Sequence, residues 1–264
     1  MSHKPLEAMF PEFSTYLQGA IAAFFGGGSY ETFEVLREGG RARAARVVKG
    51  NTKCYTMDLE ISNPQCGAPY IHFDRARHRL SRVKLLRKLG RHYPDIFFMG
   101  TDGPWTQDGP QQLLIVLQDF ISGPVCEFIE YEEVLELLRI LRLSASLGML
   151  LDYNQNHWLY KSADDAPGIL YYVDKDYVDD SRPLENALRV GFDQCTIFLT
   201  LQNAPFYAKA LVELAEDESK DHHDLTGVVR DQIQQSLASL KLRKQTKVVQ
   251  NRIESFELIL DQSS

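Results

Sequence analysis

The sequence predicts an α+β fold: an N-terminal antiparallel sheet carrying one helix, followed by a mostly helical C-terminal lobe. Three observations predict it. Between Ile21 and Ile61, short alternating apolar runs are separated by glycine-rich turns, the pattern of antiparallel strands. Leu113-Leu-Ile-Val-Leu is a fully apolar run, the mark of a buried strand. From Glu130 onward apolar residues recur at helical spacing. The expected division is a β-rich lobe over 1–120 and a helical lobe over 121–264.

Composition bounds the function classes. The chain has 264 residues, 44% hydrophobic and 25% charged, enough for two packed lobes with a substantial core. A net charge of -7 argues against a surface built to coat nucleic acid, which needs an excess of Lys and Arg. No apolar run approaches the roughly 18 residues that span a bilayer. Met1 to Phe13 lacks the charged-then-apolar order of an export signal, so a cytoplasmic location is expected. Cys54, Cys66, Cys126 and Cys195 form no CxxC pair, which fits buried thiols in a reducing compartment better than disulfides or a zinc site.

The elements follow in order. Ile21 to Phe25 leads into Gly26-Gly27-Gly28-Ser29, then an alternating run with Phe33 and Val35, a Gly39-Gly40 turn, and a strand from Ala44 to Lys49. Three adjacent glycines let backbone amides approach a ligand closely, and such a loop can cover phosphates. Tyr55, Met57, Leu59 and Ile61 alternate along a third strand, and Asn63-Pro64 to Pro69 is a loop. His72 to Arg91 reads as a helix, with Ala76, Leu80, Val83, Leu86 and Gly90 on one face. Arg75, Arg77, Arg79, Arg82, Lys84, Arg87 and Lys88 fill the remainder, a solvated face or a site for an acidic or phosphorylated partner.

Asp95 to Gly100 is a strand, Thr101 to Gln112 a polar loop, and Gln118 to Gly123 a short polar exit from the buried strand. Glu130 to Leu147 is a long helix with acids in its first turn, where they complement the helix dipole. Pro183 to Leu201, Pro205 to Glu216 and, with interruptions, Leu225 to Leu260 are helical. Asp217 to Asp224, with His222-His223, is a charged loop.

One stretch carries chemistry. Between Leu150 and Asp176 two short strands, Trp158 to Tyr160 and Ile169 to Val173, form a hairpin with Asp152 just before it and Asp174 just after it. Both carboxylates are then delivered to the same end of the hairpin. Phosphoryl transfer uses such a pair, one acid to take the acceptor's proton and one to hold a hard cation against phosphates.

The order of these parts resembles the protein-kinase-like and aminoglycoside-phosphotransferase-like superfamily across nearly the whole chain: glycine loop, strand lysine 23 residues after Gly26 (49 − 26), helix, two strands, linker, long helix, acid, hairpin, acid. The resemblance implies a two-lobed domain with ATP and Mg2+ as cofactors. It implies Asp152 as the catalytic acid and Asp174 as a metal ligand. Gly26, Gly27, Gly28, Ser29 and Lys49 would contact the phosphates, and Gln118, Asp119 and Phe120 the adenine.

The sequence also departs from the family. Five residues beyond Asp152 stands His157 instead of Asn, with Asn156 one position early; either is a candidate metal ligand, and an imidazole would admit Mn2+. Leu150-Leu151 replaces the His expected before the acid, and Asp174-Lys175-Asp176 lacks glycine. Asp74 is the lone acid of the basic helix, leaving Asp58 or Glu60 as other partners for Lys49. The resemblance thus supports an atypical phosphotransferase acting on a small-molecule or protein acceptor, or a pseudokinase that binds a nucleotide or protein partner. Outside the superfamily, the reading is a helical scaffold with a small β-domain and a basic partner-binding helix.

Overall fold

The computed structural model describes residues 30–39, 42–49, 53–61, 81–102, 105–106, 109–110, 113–163, 166–174, 177–218, 225–243 and 246–263. Gly26 to Ser29, residues 72–80 of the basic stretch, Lys175, Asp176 and His222-His223 lie outside them. The chain divides into two compact units, Met1–Lys88 with Pro94–Ile121 and Leu89–Tyr93 with Ser122–Ser264.

In the first unit, β1 (Tyr30–Gly39), β2 (Ala42–Lys49), β3 (Lys53–Ile61), β4 (Ile96–Asp102) and, after the small pair β5 (Trp105–Thr106) and β6 (Gly109–Pro110), β7 (Leu113–Asp119) are the strands. Five of them form one antiparallel sheet in the order β1-β2-β3-β7-β4. β7 pairs on both edges, which suits its unbroken apolar run. A register shift between Ile96 and Phe98 marks a bulge in β4, and the Asp119 N–H donates to the Asp95 carbonyl at 2.9 Å where the strands part.

The stretch expected to be helical through Arg91 is helical over 81–86 and then tightens into a 3-10 segment, Arg87–His92. Gly90 is the reason: its φ of 63° is left-handed, so it stops the helix instead of lining its apolar face. Val83, Leu86 and Leu89 are buried, whereas Lys84, Arg87 and Lys88 are exposed.

The second unit begins its regular structure with α1 (Tyr131–Ser146), followed by β8 (Met149–Leu151), β9 (Trp158–Ala163), β10 (Ala166–Tyr172), β11 (Tyr177–Asp179), α2 (Leu184–Cys195), α3 (Ala204–Glu218), α4 (Leu225–Lys241) and α5 (Lys247–Gln262). At the start of α1, Glu133 reaches back to accept the Ile129 N–H at 2.9 Å. Val134, Leu137, Leu138, Ile140 and Leu141 make its buried stripe. α1 packs on α2, α3, β8 and β10, and α4 and α5 close the bundle against α2 and α3. Phe128, Trp158, Tyr172, Tyr207 and Phe256 are all but fully buried, each contributing about 2 kcal/mol by removal from water. Burial pushes the Cys195 thiol up to about 12, so it behaves as a small apolar core residue and not as a nucleophile.

α2 stops short of the expected Leu201. A 3-10 turn, Thr196–Phe198, ends it, because the buried Asn203 amide takes the Phe198 carbonyl and the Thr200 N–H. Beyond α1, Gly148 (φ 72°) turns the chain into β8, which pairs antiparallel with β11. Among the described residues no helix is long and apolar enough to cross a membrane.

Candidate active and metal site

The β9-β10 hairpin is longer than its sequence pattern suggests, and its register sets Tyr172 opposite Trp158. The Val173 N–H continues the ladder by donating to the His157 carbonyl at 2.9 Å. Antiparallel pairing therefore fixes Asp174 beside the entry to β9. From the other side, β8 delivers Asp152. The Asp152 backbone is held at both ends: its N–H donates to the Tyr172 hydroxyl at 3.0 Å, and its carbonyl accepts from Trp158 Nε1 at 3.1 Å.

A relay of short polar turns joins the two. Asp152 Oδ1 accepts the Asn154 N–H at 2.9 Å, and Asn154 Oδ1 accepts the Asn156 N–H at 3.1 Å, capping the single 3-10 turn Gln155–His157. Gln155 Nε2 donates to the Cys126 carbonyl at 2.9 Å and ties this turn to the preceding chain segment. The turn aims His157 inward.

His157 Nδ1 lies 3.2 Å from Asp152 Oδ2 and 3.6 Å from Asp174 Oδ2. One ligand atom from each of the three residues falls within 4.8 Å of the others. The imidazole is deepest, with its side chain 9% exposed, against 18% for Asp174 and 41% for Asp152. Despite the short distances, the buried Nδ1 makes no hydrogen bond of acceptable geometry. Nδ1 thus sits close to both carboxylates without an N–H aligned on either.

These residues fit a divalent cation. Oxygen and nitrogen ligands bind such ions at roughly 2.1 Å, so ligand atoms on one ion lie at most about 4.2 Å apart, and a small carboxylate rotation closes the set. Burial raises the ionisation of Tyr172 well above the ordinary phenol range, and the Asp174 charge adds to it, so the hydroxyl stays protonated while it accepts from Asp152.

The other expected site residues are placed as follows. Lys49 closes β2 opposite Tyr30 of β1 and Lys53 of β3. Asp58 and Glu60, offered as its partners, stand opposite Ala44 and Ala42, five and seven residues away along β2 (49 − 44 and 49 − 42). The register thus makes neither of them the cross-strand neighbour of Lys49. Gln118 is buried and its Oε1 has no hydrogen-bond partner, and Asp119 and Phe120 follow it half-buried at the end of β7. Asn156 is exposed beside the cluster, and His157 takes the inward position. Sequence reasoning missed Tyr172, Trp158 and Asn154 as supports of Asp152. Their signal is weak: an aromatic at the strand end two residues before Asp174, an aromatic six residues after Asp152, and an Asn two residues after Asp152.

No protein-family model matches the chain, and no curated protein does. Two solved structures to which it is similar are WaaP in complex with acyl carrier protein and an apo pseudokinase. The first is 14% identical, with 89% of this chain and 97% of that one covered at a TM-score of 0.41. The second is 11% identical, with 91% and 95% covered at a TM-score of 0.46. At these values the likeness assigns no residue a role, and the functional reading rests on the site itself.

Proposed function

We propose that the chain is a divergent kinase-like phosphotransferase that binds a nucleoside triphosphate with a divalent cation. The observation that carries this reading is the convergence of Asp152 and Asp174 on one point at the end of the β9-β10 hairpin, with a buried imidazole nitrogen between them. Asp152, the most exposed of the three, is the proton acceptor for an acceptor hydroxyl. As the hydroxyl oxygen bonds to the γ-phosphorus, the bridging P–O bond to the nucleoside diphosphate breaks and the hydroxyl proton passes to Asp152. Asp174 and His157 hold the cation, which when bound neutralises phosphate charge. Gly26 to Ser29 and Lys49 are assigned to the phosphates and Gln118 to Phe120 to the adenine. A non-catalytic nucleotide-binding role is the second reading, favoured by the imidazole that occupies the position of an amide.

Thermal shift with ATP and either Mg2+ or Mn2+ tests the proposal by mass action. Asp174→Asn should remove the cation-dependent part of the shift, and Lys49→Ala most of the nucleotide part. Asp152→Asn should keep the nucleotide part of the shift and slow phosphoryl transfer by about 10²- to 10⁴-fold. Absence of any shift at millimolar ATP would sink the proposal. Binding without turnover over a broad acceptor panel would establish the non-catalytic reading instead.

A further inference from the structure

The His157 ring raises a question that two aspartates alone would not. Its Nδ1 is buried, lies 3.2 Å from Asp152 Oδ2 and 3.6 Å from Asp174 Oδ2, and is the one buried side-chain nitrogen without a hydrogen-bond partner among the described residues. Leaving a buried polar nitrogen unbonded costs about 1 to 3 kcal/mol. The surrounding chain holds the ring there: His157 N–H donates to the Asn154 carbonyl, its own carbonyl accepts from Val173, and the Tyr172 ring stands edge-on to it at 6.4 Å. A fold that fixes an unsatisfied lone pair against two carboxylates has built a third ligand.

We propose that Asp152, His157 and Asp174 form a metal site in which His157 ligates through Nδ1, and that the site selects a borderline transition cation such as Mn2+ over Mg2+. This deepens the phosphotransferase reading in naming the cation, while resting only on the three side chains. Magnesium demands oxygen ligands and gives up its waters reluctantly, whereas one imidazole with two carboxylates suits the divalent transition ions. The acids supply two formal negative charges, so the bound set is neutralised by a divalent ion. The rival arrangement, a protonated imidazole serving as internal counter-ion to the two acids, needs an N–H aligned on a carboxylate, and that alignment is missing.

The test uses the full chain, stripped with a chelator and free of nucleotide, titrated with MnCl2 and followed by electron paramagnetic resonance. Wild type should remove the free Mn2+ signal, and pulsed spectra of the bound ion should show coupling to an imidazole 14N. His157→Ala should lose that coupling and weaken Mn2+ binding about 10- to 100-fold, while Mg2+ binding by calorimetry changes less. His157→Asn should lose the coupling and move the preference toward Mg2+, with an unchanged circular dichroism spectrum as the control for folding. Bound Mn2+ without 14N coupling, equal Mn2+ affinity in His157→Ala, or no Mn2+ binding at millimolar concentration would each overturn the inference. Nucleotide shifts with Mg2+ would survive such a failure, and 14N coupling would survive a failure to bind ATP, so the two proposals fall separately.

Discussion

Asn203 is fully buried and every part of its amide is used. Its Nδ2 donates to the carbonyls of Phe128 and Phe198, both at 2.8 Å, and its Oδ1 accepts the Thr200 N–H at 2.8 Å. Phe128 needs this hold, since its φ of 54° is a conformation that bulky residues avoid. In return its ring packs on Phe198 at 4.5 Å and edge-on to Trp158 at 6.3 Å, and Trp158 packs on Tyr172 at 5.0 Å. Trp158 and Tyr172 are the side chains that grip the Asp152 backbone, so a buried amide helps to place an acid it never touches. Asn203→Ala would strand two buried carbonyls and an N–H, and should cost about 3 kcal/mol by urea unfolding. A loss below about 1 kcal/mol would show that the loop relaxes around the change. None of this was legible in the sequence, because Asn203 and Phe128 are 75 residues apart and an Asn before a helix reads equally well as a solvated turn.

At the scale of elements, the site depends on β8, three residues long, being clamped by β11. The clamp is finished by Asp180, whose N–H donates to the Gly148 carbonyl at 2.9 Å and whose buried carboxylate accepts from Arg182 Nε at 2.7 Å and Nη2 at 2.8 Å. The Arg182 hydrogen bonds hold the Asp180 carboxyl below the usual range, with burial opposing. A depressed folded-state value means the unfolded chain binds the proton more tightly. The contribution is therefore present above roughly pH 3.9, the unfolded value, and is lost as pH falls through the folded one. Asp180→Asn should be less stable than wild type near neutrality, and the two melting curves should converge as pH falls below roughly 3.9; a gap that stayed constant with pH would exclude the ionic origin. The β9-β10 hairpin was legible, since alternating aromatic and aliphatic residues bounded by polar turns announce it and place Asp152 and Asp174 together. The β8-β11 pair was not. Leu150 and Leu151 continue an apolar helix, and nothing local says that they pair with Val178 and Tyr177, 28 and 26 positions later (178 − 150 and 177 − 151). The stop at Gly90 was misread for a related reason: a glycine at helical spacing looks like a small face residue until its φ is known.

For the whole molecule, the notable feature is where the chain changes unit. Leu89–Tyr93 belongs to the second unit although residues on both sides of it belong to the first. Its side chains make the attachment: Arg91 Nη2 donates to Glu136 Oε1 and Oε2 at 3.1 and 3.2 Å, and buried His92 meets the Leu170 carbonyl at 3.1 Å through Nδ1. Burial lowers the His92 ionisation, against the Leu170 and Glu136 interactions that raise it, so near neutral pH the ring is a neutral donor to Leu170. A composition profile cannot show a five-residue excursion of this kind, because Leu-Gly-Arg-His-Tyr has neither the length nor the periodicity to announce a separate element. Its energetic consequence is testable. The sequence holds two tryptophans, and Trp105→Phe leaves buried Trp158 as the single indole, reporting on the second unit alone. In that background Leu89→Ala, at a site 1% exposed, should lower the stability read by Trp158 fluorescence by about 2 to 4 kcal/mol. Such an effect would arise 33 residues before the main body of that unit begins (122 − 89). An unchanged Trp158 midpoint would return Leu89 to the first unit, and with it the claim that a segment this short anchors the helical half of the chain.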